Sequence, residues 1–195
     1  GTMARRDDLI RFARRHGLKL GSIAELISYR LSKEESVEAI AELEVKTEFG
    51  PFRLVCMEDH INQAVHLALV CGEPDPKTPT LVRVHLQDTL SDVVGIQDTR
   101  LGWPLRDAMK LIAEEGCGIV VILRQEELPK ELMRAVRGLE TELDDLVIRR
   151  DRTAELKTFG TGAQILRALN VQRMRVLSAP KHMHAISGFG LEVVE

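Results

Sequence analysis

Between residues 37 and 47 apolar and polar positions alternate, with Val37, Ala39, Ala41, Leu43 and Val45 carrying the period of two expected of a half-buried strand. By propensity alone the same stretch, VEAIAELEVK, would suit a helix. Glu48-Phe49-Gly50-Pro51 beyond it is a turn signal, followed by the β-prone run Phe52–Met57, so the pair is predicted to form a β-hairpin. Short apolar runs predict further strands at His66–Cys71, Leu81–His85, Gly118–Leu123, Arg173–Leu177 and Leu191–Val194. Helical spacing marks Asp7–Arg15, with Leu9, Ile10 and Phe12 on one side and a stop at His16-Gly17. A second helix is expected after Ser22, where Ser22 and Glu25 form a capping box ahead of Ile23, Leu26, Ile27 and Leu31. Pro104–Glu115 aligns Leu105, Ala108, Met109 and Ile112, and Thr161–Leu169 aligns Ile165, Leu166 and Leu169. Strands interleaved with helices predict an α/β layered domain with a mixed sheet. The leading helical pair has little core of its own and should dock on something else, and residues 32–36 read as a linker.

Composition narrows the class. With 195 residues, 44% hydrophobic and 29% charged, the chain suits one folded domain, or one domain plus a fragment, rather than a disordered segment. The net charge of −3 is uneven, because residues 1–32 hold 7 Lys/Arg against 3 Asp/Glu while the remainder is acidic. This weak basic leader, in a chain with 4% aromatics, predicts no nucleic-acid partner. No apolar run approaches the roughly 18–20 residues of a membrane span, and no secretory pattern opens the chain, so a cytoplasmic protein without a membrane partner is expected. Cys56, Cys71 and Cys117 are odd in number and form no metal-binding spacing, which predicts buried, inert thiols in a reducing compartment.

Four groups of residues could carry chemistry, each with a plain alternative. His182-x-His184 is the one close histidine pair, either half of a metal site or part of a surface loop. Asp88, Asp92 and Asp98 are hard donors able to hold Mg²⁺ beside a phosphate, or solvated loop acids. Gly160-Thr161-Gly162, placed just before the expected helix, could offer backbone N–H groups to an anion or simply start the helix. Arg124-Gln125-Glu126-Glu127 follows a buried strand, where α/β sheets bind ligands, or is a charged loop. No nucleophile elbow, P-loop or dinucleotide fingerprint is present in the sequence.

The opening, GTMARRDDLIRFARRHGLKLGSIAELISYRL, resembles the C-terminal end of 3,4-dihydroxy-2-butanone-4-phosphate synthase, whose closing pattern runs DGTMAR…DL…FA..HGLK..TI.DLI.YR. Residues 37–195 resemble GTP cyclohydrolase II, the usual fusion partner of that synthase in riboflavin biosynthesis. TEFGPFRLV, HLALVCGE, TPTLVRVH, AMKLIAEEGCGIVVILRQE, FGTGAQILRALNV and GFGLEVVE occur in family order. The resemblance implies that residues 1–31 are the end of a synthase domain, with its catalytic residues and its magnesium upstream. It also implies a GTP cyclohydrolase II-like fold, preceded by this short helical remnant, and a homodimer.

The positions that hold zinc and do chemistry in the family differ here. Its Cys-x10-Cys-x-Cys zinc motif, aligned without a gap, falls on Asp88, Thr99 and Leu101. Zinc lowers the pKa of its bound water to about 7, so losing three thiolates should remove the hydrolytic hydroxide. The family's RQEGR reads Arg124-Gln125-Glu126-Glu127-Leu128. Its catalytic tyrosine falls near Leu139, and its acid and arginine nucleophile fall on Glu155 and Lys157, where a lysine cannot reproduce a planar guanidinium. Its nucleotide loop is shortened at Ser178-Ala179-Pro180, with Lys181 following and His182 at the lysine position. The expectation is therefore a cyclohydrolase-like domain without zinc or catalytic residues, with no cofactor of its own. It would act as a structural or regulatory appendage of the synthase domain in the same chain. A weak nucleotide or phosphate site could persist at Arg83, His85, Arg124, Gln125, Glu126, Ser178 and Lys181. The alternative is an active GTP cyclohydrolase II, releasing formate and pyrophosphate from GTP, with Mg²⁺ or Mn²⁺ on Asp88, Asp92 and His85.

Overall fold

A computed structural model describes residues 3–21, 26, 29, 34, 36–97, 103–140, 152–177 and 190–194. Helix α1 (Arg6–His16) opens with the Asp8 carboxylate accepting from the Arg5 backbone N–H and stops at Gly17. The expected second helix lies largely outside the described residues, although Leu26 and Tyr29 are helical. The remaining elements are β1 (Val37–Thr47), β2 (Gly50–Asp59), β3 (Ala64–Cys71), β4 (Thr80–Leu86), α2 (Leu105–Glu115), β5 (Gly118–Leu123), α3 (Pro129–Glu140), α4 (Arg152–Ala168), β6 (Arg173–Val176) and β7 (Glu192–Val193). Residues 37–47 are a strand, as their alternation predicts. Helix propensity yields because a partner strand is one tight turn away.

The strands form one mixed sheet of seven, in the order β1-β2-β3-β5-β4-β6-β7. The β1–β2, β2–β3 and β3–β5 pairings are antiparallel. Those of β5, β6 and β7 with their neighbours on the β4 side are parallel. Helix α2 supplies the crossover that parallel β4 and β5 require.

Each face of the sheet has its own core. Val55, Met57, Ala68, Val70, Val82, Ile119, Val121 and Leu123 pack with Ala163, Ile165 and Leu166 of α4. Phe52, Leu69, Leu81 and Val120 pack with Ala108 and Ile112 of α2. Strand β5 supplies both cores by alternation, which explains why its sequence reads as a continuous apolar run. In β1, Val37 packs on the α4 side and Val45 on the α2 side, although both are odd-numbered. A register shift between Ala39 and Ala41 accounts for this, since the additional Ile40 turns the alternation over.

Three expectations need correction. Gly160-Thr161-Gly162 does not precede a helix but lies inside α4, so its amides belong to the helical ladder rather than to an anion. Small residues are needed there because the helix closes on β4: a Cβ on Gly162 would meet Val84 Cγ1 at 3.1 Å. The three thiols are free but half-buried rather than buried, with Cys71 at a strand end and Cys117 just before a strand. Finally, α3 fills a stretch to which the apolar pattern assigned no element, and leaves Met133 and Val136 exposed, as is Leu128 just before it.

Candidate functional site

The carboxyl ends of β4 and β5 form the centre of the candidate site. Arg83 and His85 alternate with Val82 and Val84 on β4, so both project on the α2 side with Leu81. Arg83, only 8% exposed, donates from one guanidinium nitrogen to the Leu177 carbonyl and from the other to the Trp103 carbonyl, each at 2.9 Å. Leu177 immediately precedes the segment holding Ser178 and Lys181, and Trp103 follows the one holding Thr99 and Leu101. Arg83 therefore straps the roots of both segments to β4. Burial pulls its pKa below the ordinary arginine value, against the pull of Asp92.

His85 is buried and its Nε2 stands 2.9 Å from both Asp92 carboxylate oxygens. Its Nδ1 lies 3.5 Å from the Arg83 guanidinium, which suits an acceptor there and a proton on Nε2. Asp92 also accepts from the Asp88 backbone N–H at 2.9 Å and the Ser91 hydroxyl at 3.1 Å. Asp88 accepts from the Ser91 backbone N–H at 2.9 Å, capping a single π-type turn over Thr89–Val93. Thr89 then donates to Glu127, tying this turn to the chain beyond β5.

At that neighbouring strand end the Arg124 backbone N–H donates to His66 Nδ1 at 3.1 Å. Burial pushes the His66 pKa below its ordinary value; Asp59 opposes this shift and Arg124 adds to it. Arg124, Gln125 and Glu126 are exposed. Below them, fully buried Asp59 accepts from the backbone N–H groups of Ile61 and Asn62, from the Asn62 amide and from the Thr161 hydroxyl. Gln164 accepts from the Ser36 backbone and hydroxyl at 2.9 Å, fastening α4 to the start of β1.

The structure thus gathers Arg83, His85, Asp88 and Asp92, and sets Arg124, Gln125 and Glu126 at the adjoining strand end. Leu139 is half-buried on α3. Glu155 and Lys157 lie on α4, with side chains outside the described set, while Asp98, Thr99, Leu101, Ser178, Lys181, His182 and His184 fall outside the described residues. Among the described residues no three His, Cys, Asp or Glu side chains converge as a metal site requires, and no helix is long and apolar enough to cross a membrane. Sequence reasoning missed His66, Asp59 and Trp103. Asp59 followed by Asn62 was readable as a turn, whereas the carbonyl contributed by Trp103 has no signature in sequence.

A model of the GTP cyclohydrolase II family matches residues 38–195. The 3,4-dihydroxy-2-butanone 4-phosphate synthase of Photobacterium phosphoreum is 42% identical over 196 residues, covering 100% of this chain and 52% of that protein. The riboflavin biosynthesis protein RibBA of Parabacteroides distasonis is 36% identical, covering 100% of this chain and 50% of that protein. Among solved structures, RibBX, a two-domain 3,4-dihydroxy-2-butanone 4-phosphate synthase from A. baumannii, matches with a TM-score of 0.66 and 37% identity, over 100% of this chain and 51% of that one. The chain spans about half the length of the curated relatives it matches.

Proposed function

The chain belongs to the GTP cyclohydrolase II family, and from that membership we propose that it is the non-catalytic half of a riboflavin-biosynthesis protein whose other half is a butanone-phosphate synthase. Residues 1–31 close the synthase domain, 32–36 link, and 37–195 form the cyclohydrolase-like domain. Relatives of twice the length, matched from end to end of this chain and bearing the synthase name, support this division.

One observation carries the loss of hydrolysis. Asp88 stands at the position of the first zinc thiolate, and its carboxylate caps the Thr89–Val93 turn. The other two positions are Thr99 and Leu101, of which leucine has no donor atom. Asp92 and His85, the remaining donors close by, are bonded to each other. This set does not fit zinc, and no step through a metal follows. An altered Mg²⁺ or Mn²⁺ enzyme would have to draw on the Asp88 carboxylate, which caps the turn, and on that of Asp92, which already accepts from His85, the Asp88 N–H and the Ser91 hydroxyl.

The domain then serves as scaffold and sensor: it forms the homodimer, supports the synthase half, and retains a weak nucleotide-responsive surface at the carboxyl ends of β4 and β5. Elemental analysis joined to a formate assay with GTP tests the reading, with neither stoichiometric zinc nor formate expected. Zinc with turnover overturns it, and Mn²⁺-dependent formate release abolished by Asp88→Ala would establish the altered enzyme. A thermal shift with GTP reports binding independently of turnover.

A further inference from the structure

His66 is 6% exposed on β3 and reaches the candidate site through the backbone alone. Its Nδ1 accepts the N–H of Arg124, the first residue beyond β5. From there Gln125 and Glu126 run exposed until Glu127 meets Thr89, and α3 begins at Pro129. Segment 124–127 is thus tied at its root by an imidazole and at its far end by a carboxylate.

The two ties differ chemically. A ring nitrogen accepts a hydrogen bond only while it carries no proton, and in imidazolium both nitrogens are donors. We propose that His66 is an acid-releasable latch: neutral, it pins the Arg124 amide and holds the root of segment 124–127 on the sheet, and protonated, it presents a donor to a donor and lets that root go.

The charged groups facing the ring set when this occurs. Asp59, at the end of β2, favours the imidazolium, but four donors already share its two oxygens. The Arg124 charge and the burial of the ring oppose protonation. Met57, directly across on β2, carries no charge, and from α4 Thr161 reaches Asp59 with a neutral hydroxyl. Release therefore belongs to the acid side of the ordinary histidine range. His85 is held in the opposite sense, since its Nε2 faces the carboxylate of Asp92, an acceptor. Acid thus releases the root of the arm beyond β5 while Glu127 still holds its far end to Thr89. The latch does not depend on the fate of the metal.

Ring ¹⁵N spectra and amide exchange of the full chain between about pH 7 and about pH 5 test it. At the upper end His66 is expected as the Nε2–H tautomer with a protected Arg124 amide. As the ring titrates, protection of the Arg124 amide should fall roughly tenfold after correction for intrinsic exchange, the scale of one hydrogen bond. Val121 serves as the unchanged control. His66→Asn, whose side-chain carbonyl can replace Nδ1 and cannot be protonated, should keep protection at both ends of the range. An Nδ1–H tautomer at neutrality, a ring that stays neutral throughout, or an acid-induced loss that persists in His66→Asn overturns the latch, and the wild-type titration decides even if the variant fails to fold.

Discussion

A buried guanidinium has five N–H donors to place, and Arg83 directs its two terminal nitrogens at the Leu177 and Trp103 carbonyls while its Nε has no acceptor among the described residues. A side chain expected to greet a phosphate therefore braces two backbone segments. Arg83→Met would leave both carbonyls without this donor, and a loss of about 2–4 kcal/mol in urea unfolding is expected. Arg83→Lys should recover little, because one ammonium cannot reproduce the planar fork. The cysteines give a second test at this scale. Burial raises the pKa of Cys71 and of Cys117, where Cys71 and Glu115 add to the effect. Thiolate is the reactive form, so alkylation at neutral pH should lag behind that of a free cysteine and accelerate only in alkali. A time course of intact mass at two pH values checks this.

At the scale of elements, small residues mark the places where helices approach the sheet. A Cβ on Gly118 would stand 2.7 Å from the Leu81 carbonyl and 3.0 Å from the Ile112 side chain. Gly118→Ala would push β4 and α2 away from β5, at a cost of about 1–3 kcal/mol. On α3 a Cβ on Gly138 meets nothing within 4 Å, so Gly138→Ala should be neutral or stabilise by up to about 1 kcal/mol through helix propensity. Thermal denaturation of the two variants should move in opposite directions. The same contrast explains what could be read in advance. The α2 stripe of Leu105, Ala108, Met109 and Ile112 is an amphipathic repeat, visible as such. The middle of α4 is not, because Gly160, Thr161 and Gly162 satisfy a close approach to β4 and a bond to Asp59 instead of a periodic apolar face.

For the molecule as a whole, one sheet joins an antiparallel half to a parallel half, and the candidate site lies at the carboxyl ends of the two parallel strands beside that junction. His66 couples this arrangement to acid stability. Its folded pKa lies below the ordinary 6.5, so between those two values the unfolded chain binds the proton first. Its contribution to stability is complete above about pH 6.5 and declines as the pH falls towards the folded value. Urea midpoints measured across this interval should fall with acid, and His66→Asn should flatten the slope. By itself the sequence determined the strand runs, the α2 helix, the β1–β2 hairpin and the family, because periodicity, turn chemistry and residue identity are local properties. Tertiary structure alone decided that Arg83 braces Leu177, 94 residues away, and that His66 holds Arg124, 58 residues away. It also decided that Ile40 reverses the facing of β1. A backbone carbonyl or amide offers the same group whatever the residue, so contacts of this kind leave no trace in the order of side chains.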